Sequence, residues 1–217
     1  MLRPTDYLLA QLRWAADAPR EGAATAGVDL HALGALAHGV AAELQLPGDV
    51  GMRADRLAWS ADLRCAYLYF ALDQRVLLPG AGRQPVTEAL RAALPVSVSV
   101  AVSRLERVFE VAGASAGERS TAHYVVEMDP APGWMDEIER WYDEEHMPGL
   151  AAVPGCARAQ RLLNHDHGPL SLACYDLVRE AAFGSPPWLA VRATEWSSRV
   201  RPNFTNTKRT MFQWVDI

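Results

Sequence analysis

The alternation of apolar and polar positions is clearest in the second half of the chain. Residues 123–128 (HYVVEM) are rich in β-branched and aromatic side chains and predict a strand. Residues 134–147 predict a helix, because Trp134, Ile138, Trp141, Tyr142 and Glu145 share one face at helical spacing. Asp136, Glu137, Glu139, Asp143 and Glu144 supply its solvated side, and Pro148 is expected to stop it. Strands are predicted over 156–163 and 170–177, around the turn 164–168 (NHDHG). A short helix over 186–192 and a strand over 209–215 complete the order βαββαβ.

The first half predicts the same order: strand 7–14, an alanine-rich helix 30–44, a hairpin of 52–59 and 65–72, helix 86–94, and a segment 96–111 ending in strand. Laid without gaps, residues 52–72 match 157–177, pairing Arg53 with Arg158, Arg56 with Arg161, Leu57 with Leu162 and Leu72 with Leu177. Between the halves, Ala112-Gly-Ala-Ser-Ala-Gly-Glu-Arg-Ser-Thr121 is small and polar and reads as a linker. The expected organisation is one repeat over 1–111, a linker over 112–121 and a second repeat over 122–217. A βαββαβ unit carries both helices on one sheet face and leaves the other bare. The expected fold class is therefore α+β, two ferredoxin-like repeats covering each other as an intramolecular dimeric α/β barrel.

Composition narrows the function classes. The 217 residues carry 21 basic and 26 acidic side chains, a net charge of -5, where a nucleic-acid binder would show a basic face. Half the residues are apolar, enough for a core, but no run approaches a membrane span. Residues 1–20 lack the apolar block of a signal peptide, and three scattered cysteines fit buried thiols in a reducing cytoplasm. Lys208 is the only lysine, which argues against Schiff-base chemistry. No GxSxG, P-loop or GxGxxG motif is present. The expected partner is a small-molecule substrate, with no nucleic acid and no membrane. The expected assembly is a monomer with an internal pseudo-dimer, or a homodimer of it.

Among candidate site residues His146 leads. Its helical phase lies about 80° from Ile138, at the border of the apolar face, and it falls in the expected last turn. There the helix dipole, with Glu144 and Glu145, would favour the imidazolium and place the group near neutrality as an acid or base. His123 shares a strand face with Glu127, so it could be a second base with an orienting carboxylate. Tyr142 and Tyr175 offer hydroxyls that could polarise a carbonyl, and Trp141 would pack beside them. Arg158 and Arg161 have opposite strand parity, so only one can face a pocket and hold a carboxylate or phenolate. His165 and His167 form an H-x-H pair without further ligands at close spacing, and His31 and His38 sit on the alanine-rich helix. No metal site is expected.

The string Trp141-Tyr-Asp-Glu-Glu-His-Met-Pro148 carries a resemblance. With Ala152-Val-Pro-Gly155, Arg158, Arg161, Leu172-Ala-Cys-Tyr-Asp-Leu177 and Trp196-Ser-Ser-Arg-Val-Arg-Pro202, it is similar to the EthD-like group of the dimeric α/β-barrel superfamily. The first half has His38-Gly-Val-Ala-Ala-Glu43 at the corresponding place, and looks like a diverged partner. The resemblance implies a cofactor-free cyclase, dehydratase, isomerase or monooxygenase of aromatic or polyketide-like natural products. It also implies a pocket between helices and sheet, with His146 and His123 among its polar residues. Some tandem ferredoxin-like barrels hold haem, but no matching distal motif appears. The reading that follows is acid–base chemistry at His146 with His123 assisting, and Tyr142, Tyr175, Trp141 and Arg158 holding substrate. A cofactor-free monooxygenase and a non-catalytic binding barrel are the alternatives.

Overall fold

The computed structural model describes residues 1–15 and 28–217; part of the N-terminal stretch read above for a leader lies outside the described residues. The chain divides into two compact units. The first comprises Met1–Glu106, Asn164–His167 and Gln213–Ile217, and the second Arg107–Leu163 and Gly168–Phe212.

In the first unit the order is β1 (Arg3–Trp14), α1 (Leu30–Glu43), β2 (Met52–Ser60), β3 (Cys65–Leu78), α2 (Gln84–Ala93) and β4 (Val98–Ala112). β3 pairs antiparallel with β2 on one side and with β1 on the other, and β1 pairs with β4. Asp29 caps α1 by accepting from the Ala32 amide at 2.9 Å, satisfying one of the orphan donors of a helix start. The helix then buries Leu33, Ala37, Val40 and Ala41 against Leu8, Leu12, Leu57 and Leu68. The turn 164–167 belongs to this unit. Asp166 accepts from the Arg104 guanidinium at 2.9 and 3.0 Å, and His165 Nε2 lies 3.1 Å from Glu106. The H-x-H turn therefore serves as an anchor.

The second unit runs β5 (Ala122–Pro130), α3 (Met135–Trp141), a π turn (Tyr142–His146), α4 (Met147–Ala151), β6 (Cys156–Asn164), β7 (Ser171–Leu177), α5 (Pro186–Arg192), α6 (Glu195–Val200) and β8 (Phe204–Val215). β7 lies between β5 and β6, with Tyr124 opposite Tyr175 and His123 opposite Asp176. Ala122, Tyr124, Met128, Ala159, Ala173 and Tyr175 face the helices and pack on Ile138, Trp141, Leu150 and Trp188. The fold is mixed, ferredoxin-like α/β, and the eight strands among the described residues pair antiparallel. No helix among the described residues is long and apolar enough to cross a membrane.

One local expectation is corrected. Pro148 does not stop the helix, which continues to Ala151. A proline in an α-helix strands the carbonyl four residues back and clashes with it. Here the helix widens, the Met147 amide donating to Tyr142 five residues back, and the wide turn absorbs the missing donor. The segment 112–121 connects β4 to β5 and is hydrogen-bonded at its start. Its Gly113, Ala114 and Ser115 amides donate to Ala157, Ala151 and Cys156 carbonyls at 2.8–2.9 Å, tying it into the second unit.

At Gly113 that close approach demands glycine, since a Cβ would lie 2.1 Å from the Cys156 carbonyl oxygen. Gly113→Ala is expected to cost about 1–3 kcal/mol, the usual scale for overpacking. Thermal unfolding should show this as a fall in Tm of several degrees (about 2–4 °C per kcal/mol).

Candidate active site

The second unit holds a cleft between its helices and its sheet, lined from β5 by Tyr124 and Val126 and from β7 by Tyr175. Trp141, Tyr142, His146, Leu150, Trp188, Arg192 and Arg201 from the helical segments and Phe204 and Arg209 from β8 complete the lining. The cavity of about 30 Å³ admits one or two waters.

The π turn aims the key side chain. In an α-helix five residues separate Trp141 and His146 by about 140°. In the widened turn their rings stack instead, with centroids 4.1 Å apart and planes inclined 22°. Glu145, expected to charge the imidazole, accepts from Trp141 Nε1 at 3.1 Å and Thr194 Oγ1 at 2.7 Å, joining α3 to the cap of α6. His146 is therefore neutral rather than an end-of-helix imidazolium. Burial, with Arg192 and Arg201 adding like charge, pushes its pKa down to about 3. It is only 7% exposed, and its Nδ1 is buried with no hydrogen-bond partner among the described residues. A buried unpaired nitrogen costs on the order of 1–3 kcal/mol, which a ligand at this place would recover.

The phenols around it stay protonated. Burial raises Tyr142 and Tyr175 well above the ordinary phenol value, and raises Tyr124 against the opposing charge of Arg192, Arg209 and Arg201. The Tyr175 hydroxyl donates to Met147 Sδ at 3.1 Å. No hydrogen bond of the Tyr142 hydroxyl occurs among the described residues, and its ring carries Arg161 at 5.7 Å, a cation held by Glu139 and Asp143. Tyr142 is thus a neutral donor fixed at the edge of the cleft.

Arg192, Arg201 and Arg209 come from α5, the end of α6 and β8, and none makes an ion pair among the described residues. Phe204 and Arg209 stand five apart on β8, which alternation would send to opposite faces. Asn206 between them sits at φ 48, in the left-handed region that Asn tolerates, and its side chain donates to Asp129 Oδ2. The Phe204 and Arg209 side chains nevertheless both line the cleft.

The structure brings His146, Trp141, Tyr142 and Tyr175 together, and places two other expected residues elsewhere. His123 lies on the sheet face away from the helices, 1% exposed, with Nδ1 2.7 Å from Asp176 Oδ1. By strand parity its neighbour Tyr124 lines the cleft with His146, and His123 does not. Arg158 likewise binds Asp176 Oδ2 at 2.6 and 2.9 Å on that same face and does not line the cleft. Arg161 is the helix-side member of the pair. Trp188, Arg192 and Arg209 carry no sequence signal of a site, and Arg201 only its place in the string Trp196–Pro202, because they converge from three elements with no common spacing.

No family model and no curated protein matches the sequence. Solved structures do resemble it. An anthrone oxidase-like protein matches with a TM-score of 0.64 at 14% identity, covering 98% of this chain and 92% of that one. A mutant chlorite dismutase from Candidatus Nitrospira defluvii matches with a TM-score of 0.55 at 10% identity, over 98% and 92% of the two chains. A ferredoxin-fold protein related to antibiotic biosynthesis monooxygenases, from Listeria monocytogenes, matches with a TM-score of 0.51 at 9% identity, over 100% and 98%. At such identities the likeness establishes the fold alone, which is ferredoxin-like.

Proposed function

We propose that the protein is a cofactor-independent, cytoplasmic enzyme that takes a proton from an activated carbon or phenol of an aromatic, polyketide-like small molecule. One observation carries this reading: a neutral, buried imidazole with an unpartnered nitrogen lines a cleft whose other polar groups are protonated phenols and arginines. His146 accepts the proton from the substrate C–H. The electron pair moves onto the conjugated carbonyl oxygen, and the enolate charge develops beside Arg192 and Arg201, with Tyr142 as a neutral donor. A base whose pKa is about 3 in the empty cleft is weak. The substrate's negative charge opposes that of the two arginines, so His146 becomes more basic as the enolate forms. Ring closure, water loss or isomerisation would proceed from this enolate. A cavity of about 30 Å³ is far below the roughly 300 Å³ that encloses a drug-sized ligand, so the long arginine side chains must swing aside on binding.

A second reading has its own support, since one structural neighbour is an anthrone oxidase-like protein and another is related to antibiotic biosynthesis monooxygenases. In it the enolate passes its electrons to dioxygen, converting CH₂ and O₂ to C=O and water. The resemblance of WYDEEHMP to the EthD-like group is compatible with both readings. So is a tandem of two ferredoxin-like repeats forming an intramolecular dimeric α/β barrel, a proposal supported by the shared βαββαβ order of the halves. A half-chain folding as a stable monomer would count against the barrel.

The test is solvent deuterium exchange into the methylene of anthrone, followed by proton NMR under argon. Wild-type protein should accelerate exchange and His146→Ala should not. With air admitted, stoichiometric oxygen uptake selects the second reading. Exchange at the uncatalysed rate in the wild type would reject both.

A further inference from the structure

We infer that Arg192, Arg201 and Arg209 form a subsite for an anionic group, a carboxylate or its like, carried by the aromatic ligand of the cleft. This inference rests on the reading of the cleft as the functional site, and it names the substrate class.

Three guanidiniums line one small cleft in a protein of net charge -5. Elsewhere in the same unit Arg140, Arg158, Arg161 and Arg199 each face a carboxylate. The three cleft arginines face none among the described residues, and the single polar contact of the group is Arg201 Nη1 on the Arg192 carbonyl at 3.5 Å. Arg192 and Arg201 are half-buried, so water screens their mutual repulsion only in part, whereas Arg209 reaches solvent. Like charges gathered in this way are stabilised by an anion between them.

An independent observation points to the same place. Trp188 is 1% exposed, and its indole N–H, like His146 Nδ1, is buried without a partner among the described residues, in the lining of this cleft. An indole N–H can only donate, so its ligand must present an acceptor. A carboxylate offers planar, paired acceptors that match guanidinium forks and leave a lone pair for the indole. The remaining walls, Trp141, Tyr124, Tyr175 and Phe204, present aromatic rings, which suit an aromatic body in offset or edge-on contact.

The probe is 1-naphthoate, against 1-naphthamide of nearly the same shape, read by quenching of tryptophan fluorescence in the full-length protein. Naphthoate should bind at least 10-fold tighter than the amide. Arg201→Gln should weaken naphthoate at least 10-fold, and Arg209→Gln, at an exposed position, repeats the test should Arg201→Gln fail to fold. Arg199→Gln, whose arginine pairs with Glu137 outside the cleft, should bind like wild type. Equal affinity for acid and amide, or wild-type affinity in the folded arginine variants, would overturn the subsite. Displacement of naphthoate by equimolar sulfate would overturn its aromatic specificity. Anthrone exchange reports separately: if it is absent while naphthoate binding depends on arginine, the base chemistry fails and the subsite stands.

Discussion

Replacing His146 with Ala is expected to lower turnover by about 10²-fold or more, the scale of losing a general acid or base. The alternative role for this side chain is core filler. It is buried and stacked on Trp141, so its loss would also open a small void. The two roles separate through His146→Gln. Glutamine keeps polarity and much of the volume but cannot take a proton at neutral pH. It should fold like wild type in thermal unfolding and remain as slow as the Ala variant. His38→Ala should leave the rate unchanged, since His38 is exposed on α1, outside the cleft. A fast His146→Gln variant would reject the assignment. The pH profile offers a further check. Because the free protein holds His146 down at about 3, the acid limb of kcat/KM should fall far below the 6.5 of an ordinary histidine.

Stability should carry the imprint of the same group. His146 titrates near 6.5 when unfolded and near 3 when folded. Between those values the unfolded chain binds a proton that the folded chain does not, so stability rises with pH across this window. Acidification from pH 6.5 to pH 4 should therefore remove about 3 kcal/mol through this residue, at up to ~1.4 kcal/mol per pH unit. The carboxylates add their own losses toward the lower end, so the useful quantity is a difference. Urea unfolding of wild type and His146→Gln at both pH values should show the variant losing less by about that amount. Equal losses would mean that His146 is not buried in its neutral form.

The sequence alone determined the βαββαβ order of both halves, the core strands of the second, and the neighbourhood of His146 with Trp141, Tyr142 and Tyr175. Each rests on local periodicity: apolar spacing marks which face is buried, and strand alternation places Tyr175 opposite in sense to Asp176. The true end of the helix, the aim of His146, and the arginine wall were decided only by tertiary structure. Pro148 reads as a stop under α-helical rules, yet the π turn carries it, and that turn rotates His146 onto Trp141 in a way that α phase does not anticipate. The charge of His146 was misjudged for the same reason, since the helix runs on to Ala151 and the imidazole meets Arg192 and Arg201 instead of a helix terminus. His123 and Arg158 were assigned without knowledge of which sheet face the helices cover, and one-residue parity carried them to the other side. The arginines meet from α5, the end of α6 and β8. Local patterns report which side of an element is buried, whereas a site assembled from separate elements exists only after packing has chosen their neighbours.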